Sequence, residues 1–188
     1  MKAIKATATI VAAALLAFTL CVVCGCQPSS EDVIRKTVEE KFGAYKALDD
    51  AVLSNIASKA EQDGLGDLGI SGQDYASAVL NGFDYSIDDV TVNDQAATVS
   101  MTIVSKSRTD FYNKLNEAVS AFMANPDTES MSAEEKDAQV GSITMQAFEQ
   151  TETVSENVQL QFQLQGNTWV SVNSNEVLGS LDSFAFPE

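Results

Sequence analysis

From Val158 to Gln165 the chain alternates without a break, with Val158, Leu160, Phe162 and Leu164 set against Gln159, Gln161, Gln163 and Gln165. Successive side chains of a strand point to opposite faces, so this segment reads as a strand with one apolar face and one polar, uncharged face. A strand buried on both faces would be continuously apolar, so the pattern points to an antiparallel sheet packed on one side only. A second run behaves the same way. Ala97, Val99, Met101 and Ile103 alternate with Thr98, Ser100 and Thr102. Before them Phe83, Tyr85 and Ile87 alternate with polar residues, followed by Val90 and Val92. Asn93-Asp94 reads as the tight turn of that hairpin, and Gly166-Asn167 turns the glutamine-bearing strand toward Trp169, Val170 and Val172.

Helical periodicity accounts for most of what remains. Ile34, Val38, Phe42, Tyr45, Leu48, Val52 and Ile56 recur at three- and four-residue steps. They predict one long amphipathic helix over about residues 31–62, opened by a capping box of Ser29 and Asp32 and bent or broken at Gly43. Residues 63–74 are glycine-rich and predict a solvated loop. Asp63, Asp67 and Asp74 invite a calcium reading, but the segment departs from the EF-hand spacing at its third, sixth and last positions. A short helix from about Gln73 to Asn81 follows. Phe111, Leu115, Val119 and Phe122 predict a helix ended by Asn125-Pro126. Ser132 and Glu135 cap another that carries Val140, Ile143, Ala147 and Phe148, and Asn175 opens a last one through Val177, Leu178 and Leu181. The order α-α-β-β-α-α-β-β-α predicts an α+β fold: a curved antiparallel sheet of about four strands with helices packed on one face.

The first thirty residues carry an address. Lys2 and Lys5 precede an almost wholly apolar run from Ile10 to Val23, the pattern of a signal peptide. It ends in Val23-Cys24-Gly25-Cys26, which resembles the bacterial lipobox, and a polar Gln27-Pro28-Ser29-Ser30 follows. That resemblance implies a diacylglycerol thioether on Cys26 and cleavage by signal peptidase II between Gly25 and Cys26; Cys21 and Cys24 sit in poorer contexts. A retained transmembrane helix is the competing reading, since the apolar stretch is about long enough to span. It would not need the Gly-Cys ending, and no basic stop-transfer cluster follows. The expected organisation is a signal peptide over 1–25, a lipidated cysteine and tether over 26–30, and one α+β domain over 31–188. So short a tether holds the domain within roughly 20 Å of the bilayer, on its extracytoplasmic face.

The segment from Phe83 through Ile103, with its aromatic-alternating strand, acidic turn and Ala97-Thr98-Val99, resembles domains of small lipoproteins of Gram-positive and actinobacterial type. Asn167-Thr168-Trp169 through Leu181 matches their closing Trp-containing strand and short helix. Those domains are similar to cystatin-like and nuclear-transport-factor-2-like folds, in which helices close a cone-shaped cavity against a bent sheet. The resemblance implies such a cone, with Phe42, Tyr45, Phe83, Tyr85 and Trp169 as candidate lining residues; as core residues they need no ligand.

Composition then narrows the chemistry. The chain has 11 basic and 27 acidic residues and no histidine, for a net charge of −16 that becomes −18 once Lys2 and Lys5 are removed. Such a surface repels phosphate backbones, which excludes nucleic acid as a natural partner. The domain after Cys26 contains no cysteine, so it has no disulfide, no thiolate nucleophile and no thiolate metal site. Without histidine it also lacks the usual general base. Asp49-Asp50 and Asp88-Asp89 are adjacent carboxylates, but neighbours on a helix or a strand diverge. The expectation is therefore a non-enzyme without cofactor or metal. The lipid would hold it to the membrane, where it would bind an envelope protein or a small ligand, or pair with a second copy. Solute capture and carboxylate-dependent catalysis are the alternatives. The face carrying Thr98, Ser100, Thr102, Gln159, Gln161 and Gln163 is the candidate interaction surface, with simple exposure to water as the competing reading. Mass spectrometry of membrane-extracted protein should find Cys26 acylated at a new N-terminus, and Cys26→Ala should leave an uncleaved, unlipidated chain.

Overall fold

The structure is a computed structural model, described over residues 28–182. Four strands, β1 (Asp84–Asn93), β2 (Ala96–Lys106), β3 (Thr153–Gln165) and β4 (Thr168–Ser171), lie side by side in chain order in one antiparallel sheet. Six α-helices are α1 (Ser30–Lys46), α2 (Asp50–Gln62), α3 (Gly72–Leu80), α4 (Arg108–Ala124), α5 (Ala133–Gln150) and α6 (Ser174–Asp182). The expected α+β architecture is observed, with α4 and α5 as an excursion between the two hairpins. Cys26 and Gly25 lie outside the described residues.

Register shows why the sheet is one-sided. Across β2 and β3, Ala97 faces Phe162, Val99 faces Leu160 and Met101 faces Val158. Val99, Met101 and Leu160 are almost wholly buried, against a core that includes Ile34 and Phe42 of α1, Ile56 of α2 and Phe148 of α5. The intervening pairs Thr98–Gln161 and Ser100–Gln159 point the other way.

Several local expectations need correction. The predicted 31–62 helix is two helices, and the break is not at Gly43. Leu48 takes a left-handed backbone, φ 53°, and Asp49 then caps α2 by accepting the Ala51 N–H at 2.9 Å. A carboxylate at a helix N-terminus satisfies orphan donors and suits the dipole, so Asp49-Asp50 favour a new helix start over continuation. Leu48, which fits the apolar period, is consequently 39% exposed. Gly43 remains inside α1. The hairpin turn is Asp94-Gln95, one residue later than expected, because Asn93 still pairs with Ala96, and Asp94 takes the positive φ. Asn175 lies inside α6 rather than capping it. The preceding Asn173 is turned back onto β3, donating to Gln159 O and accepting from Gln161 N. Both predicted capping boxes, Ser29 with Asp32 and Ser132 with Glu135, are present.

The strand β1 carries a bulge. Ile87 pairs with Met101 and Asp89 with Ser100, which leaves Asp88 as the extra residue. It explains why the apolar residues shift from odd positions, Tyr85 and Ile87, to even ones, Val90 and Val92, while all still face the helices.

The glycine-rich stretch is not a free loop. Leu65–Leu68 forms a 3-10 turn, and Leu65 and Ile70 are buried. This turn packs backbone-first against α5, because a Cβ on Gly141 would fall inside contact distance of the Leu68 carbonyl oxygen. At Gly72 a Cβ would lie 2.7 Å from the Ala57 carbonyl, so α3 and α2 also pack closely. Gly141→Ala should therefore destabilise the domain by about 3 kcal/mol, an overpacking cost. Gly43→Ala, whose Cβ would meet only the Tyr85 hydroxyl at 3.6 Å, should stabilise it by up to about 1 kcal/mol. Urea denaturation of the two variants checks both signs.

Candidate interaction face

The outer face of the sheet is bare among the described residues. Thr98, Ser100 and Thr102 of the central strand β2 are half-buried by their neighbours, and Gln159, Gln161 and Gln163 of β3 are exposed. The structure thus brings the six predicted residues together on adjacent strands: Thr98 pairs with Gln161 and Ser100 with Gln159, while Thr102 pairs with Asn157 and Gln163 with Ala96. Val170, opposite Gln163, and Val172, whose N–H donates to Gln161 O at 2.9 Å, add an apolar corner with exposures of 37% and 50%.

The face is not free of charge, as the strand pattern had suggested. By adding a residue, the bulge sets both Asp88 and Asp89 on it, where alternation predicted divergence. The hydroxyls of Thr102 and Ser86 donate to Asp88 at 3.0 and 3.3 Å, and that of Thr91 donates to Asp89 at 2.7 Å. The Thr102 hydroxyl also lies 3.1 Å from Asn157 Oδ1, so its single proton links β1 to β2 or β2 to β3, one at a time. These carboxylates serve the lattice of the face.

The five candidate lining aromatics behave differently. Phe42, Tyr45, Phe83 and Trp169 belong to the core. Phe42 packs on Tyr85 at 5.7 Å and Tyr45 on Phe83 at 6.1 Å between ring centroids. Tyr85 borders a surface depression, about 500 Å³ and open, with Arg35, Glu39, Lys46, Ser86 and Ile87. Its hydroxyl donates to the Glu39 carbonyl at 3.2 Å, and burial together with the Glu39 carboxylate raises its pKa. Lys46 and Asp84 pair at 2.6 Å on the rim, which holds Asp84 below the ordinary carboxylate value and Lys46 above its own. A second depression of about 310 Å³ lies between residues 68–71 and α5.

Two lysines escaped the sequence reading because single cations in an acidic chain look like surface charge. Lys106 is buried, and its Nζ donates to the carbonyls of Phe148 and Thr151 at 2.8 and 3.0 Å, at the negative end of α5. Burial lowers its pKa. The only signal was its place, last in a strand and directly before the helix-capping Ser107. Lys41 donates to Ser174 and Asn175 at 2.8 and 3.3 Å, tying α1 to the start of α6. Asp110 closes the same junction as Lys106: it accepts from Lys114 and from the Glu152 N–H, while Ser107 N–H donates to Glu152 O. Among the described residues no group of three His, Cys, Asp or Glu is placed to hold a metal, and no helix is long and apolar enough to cross a membrane.

No family model and no curated protein matches the chain. Among solved structures it is similar to a protein described as a lipoprotein, ycdA of Bacillus subtilis, with a TM-score of 0.42 and 13% identity. The match covers 82% of this chain and 47% of that one, so this chain spans about half of that protein's length. A likeness at that level carries no role across.

Hydrogen bonds from Lys114 and the Glu152 amide hold the Asp110 pKa below its ordinary value. Its contribution to stability is therefore complete above the ordinary carboxylate range and is lost as pH falls through the lowered value. Thermal melts from about pH 6 down to about pH 2 should show wild type losing stability. Asp110→Asn should start lower and lose less.

Proposed function

We propose that this chain is an exported lipoprotein, anchored through Cys26 on the extracytoplasmic side of a bacterial membrane, whose domain is a non-catalytic interaction module. The observation that carries the second half is the bare outer face of the sheet. Five of its central side chains, Thr98, Ser100, Gln159, Gln161 and Gln163, are uncharged hydrogen-bonding groups in a chain of net charge −16, and Val170 and Val172 border them. A surface that both donates and accepts hydrogen bonds, with an apolar corner and its two carboxylates confined to β1, suits a protein partner. The non-catalytic reading is supported by the lack of histidine and by the engagement of Asp88 and Asp89 with neighbouring hydroxyls. The anchor is supported by the lipobox-like tetrapeptide, and the short link from Cys26 to α1 would place the module close to the membrane.

A photo-crosslinking residue placed at Gln161 in cells should give one dominant adduct, and the same residue at Leu48, on the α1–α2 corner, should not. Adding Thr98→Arg should abolish the Gln161 adduct while leaving the melting temperature unchanged. Equal labelling from both sites, or an adduct indifferent to Thr98→Arg, would sink the assignment of this face.

A further inference from the structure

The strand β3 outruns the strand that covers its outer edge. Pairing with β4 reaches only from Gln165 to Phe162. Val172 and Asn173 extend the cover a little: Val172 N–H donates to Gln161 O, and the Asn173 side chain accepts from Gln161 N at 2.8 Å and donates to Gln159 O at 2.9 Å. In an antiparallel ladder the outward backbone groups recur at every second residue. Gln159 and Gln161 thus set Asn157, Ser155 and Thr153 outward as well, and among the described residues nothing pairs with those three on that side. Residues 153–157 are all exposed.

Unpaired edges are normally guarded by bulges, charged side chains (inward-pointing ones included), prolines or shortness. The opposite edge, β1, has its bulge and its packing against α1, and β4 is four residues long. The β3 edge has one such guard, the inward-pointing Glu156, opposite Ile103. Its inward-facing side chains are Val154, 39% exposed, then Glu156, then the half-buried Val158. Glu156 faces Ile103 across the sheet rather than a cation. After Lys114 the sequence holds one base, Lys136, against twelve acids, so this part of the chain is short of partners for it.

We propose that residues 153–157 accept an extended segment of a partner protein as an added antiparallel strand. The segment would be of the pattern apolar-x-basic-x-apolar, its main chain pairing with Thr153, Ser155 and Asn157. Its cation sits opposite Glu156, and its apolar residues lie against Val154 and Val158. Backbone bonds supply the affinity and alternate side chains the selectivity. Charge argues for a basic partner over a second copy, because two copies at −16 each would bring Glu156 close to its own image. The site uses the backbone edge of β3 rather than the outer sheet face, which it adjoins at the Thr102–Asn157 pair.

The blocked peptide Thr-Val-Thr-Lys-Thr-Val-Thr, and the same peptide with Glu for Lys, test this by fluorescence titration against the mature chain. The lysine peptide should bind at least about tenfold tighter, a difference of about 1.4 kcal/mol. Glu156→Lys should reverse that preference, which simple misfolding would not do. Ser155→Pro, which removes an outward N–H the sheet does not use, should abolish binding of both. Thr98→Arg should change neither, so a failure here and a failure of the sheet face are told apart. Absence of binding, equal affinity for the two peptides, or a preference that survives Glu156→Lys would overturn the proposal. So would dimerisation of the wild-type chain that Ser155→Pro removes, since a second copy would then be the occupant.

Discussion

Everything in this domain hangs on the pairing of β2 with β3, eleven residues long from Ala96–Gln163 to Lys106–Thr153. It joins two local hairpins that would each be marginal alone. It also closes a long excursion, residues 107–152, whose loop entropy must be offset by contacts made elsewhere. Each end of that excursion is stitched where it leaves the sheet. Ser107 N–H donates to Glu152 O, Asp110 accepts from Glu152 N–H, and Lys106 caps the end of α5. A buried ammonium is costly unless its donors are used, and here the Phe148 carbonyl in the last turn of α5 and the Thr151 carbonyl at its C-cap accept them.

The helical layer rests on that sheet through close backbone contact as well as side-chain packing. Gly141 and Gly72 let α5 meet the Leu65–Leu68 turn and α3 meet α2 at distances no side chain would permit. The apolar face of the sheet is thereby covered, and among the described residues its outer face is left bare. Both proposed recognition surfaces follow from this asymmetry: among the described residues, one face without helices and one strand longer than its neighbour. Both are consequences of where the helices stop.

Much of the candidate face was legible beforehand, because strict alternation in β2 and β3 names the residues on each side. Val158, Leu160 and Phe162 had to point one way and Gln159, Gln161 and Gln163 the other. Asp88 and Asp89 were misread because alternation presumes an unbroken ladder; the change of parity between Ile87 and Val90 was the visible trace of the bulge. Leu48 and Asp49 show a similar conflict, in which a good apolar period lost to a good helix cap. Lys106 and Asn173 were hidden for a different reason. Each acts through one long-range contact, and no spacing in the chain announces such a partner.

What the sequence determined by itself was the periodic content: an α+β fold, a one-sided antiparallel sheet, two capping boxes, and a domain without cysteine or histidine. These are local or compositional properties, set by pleat, helix pitch and side-chain chemistry. Only the tertiary structure decided that four of the five candidate lining aromatics fill the core, that both aspartates share the outer face, and that β3 projects past its cover. Those depend on how elements distant in the chain meet in space, and on how far each extends beyond the other.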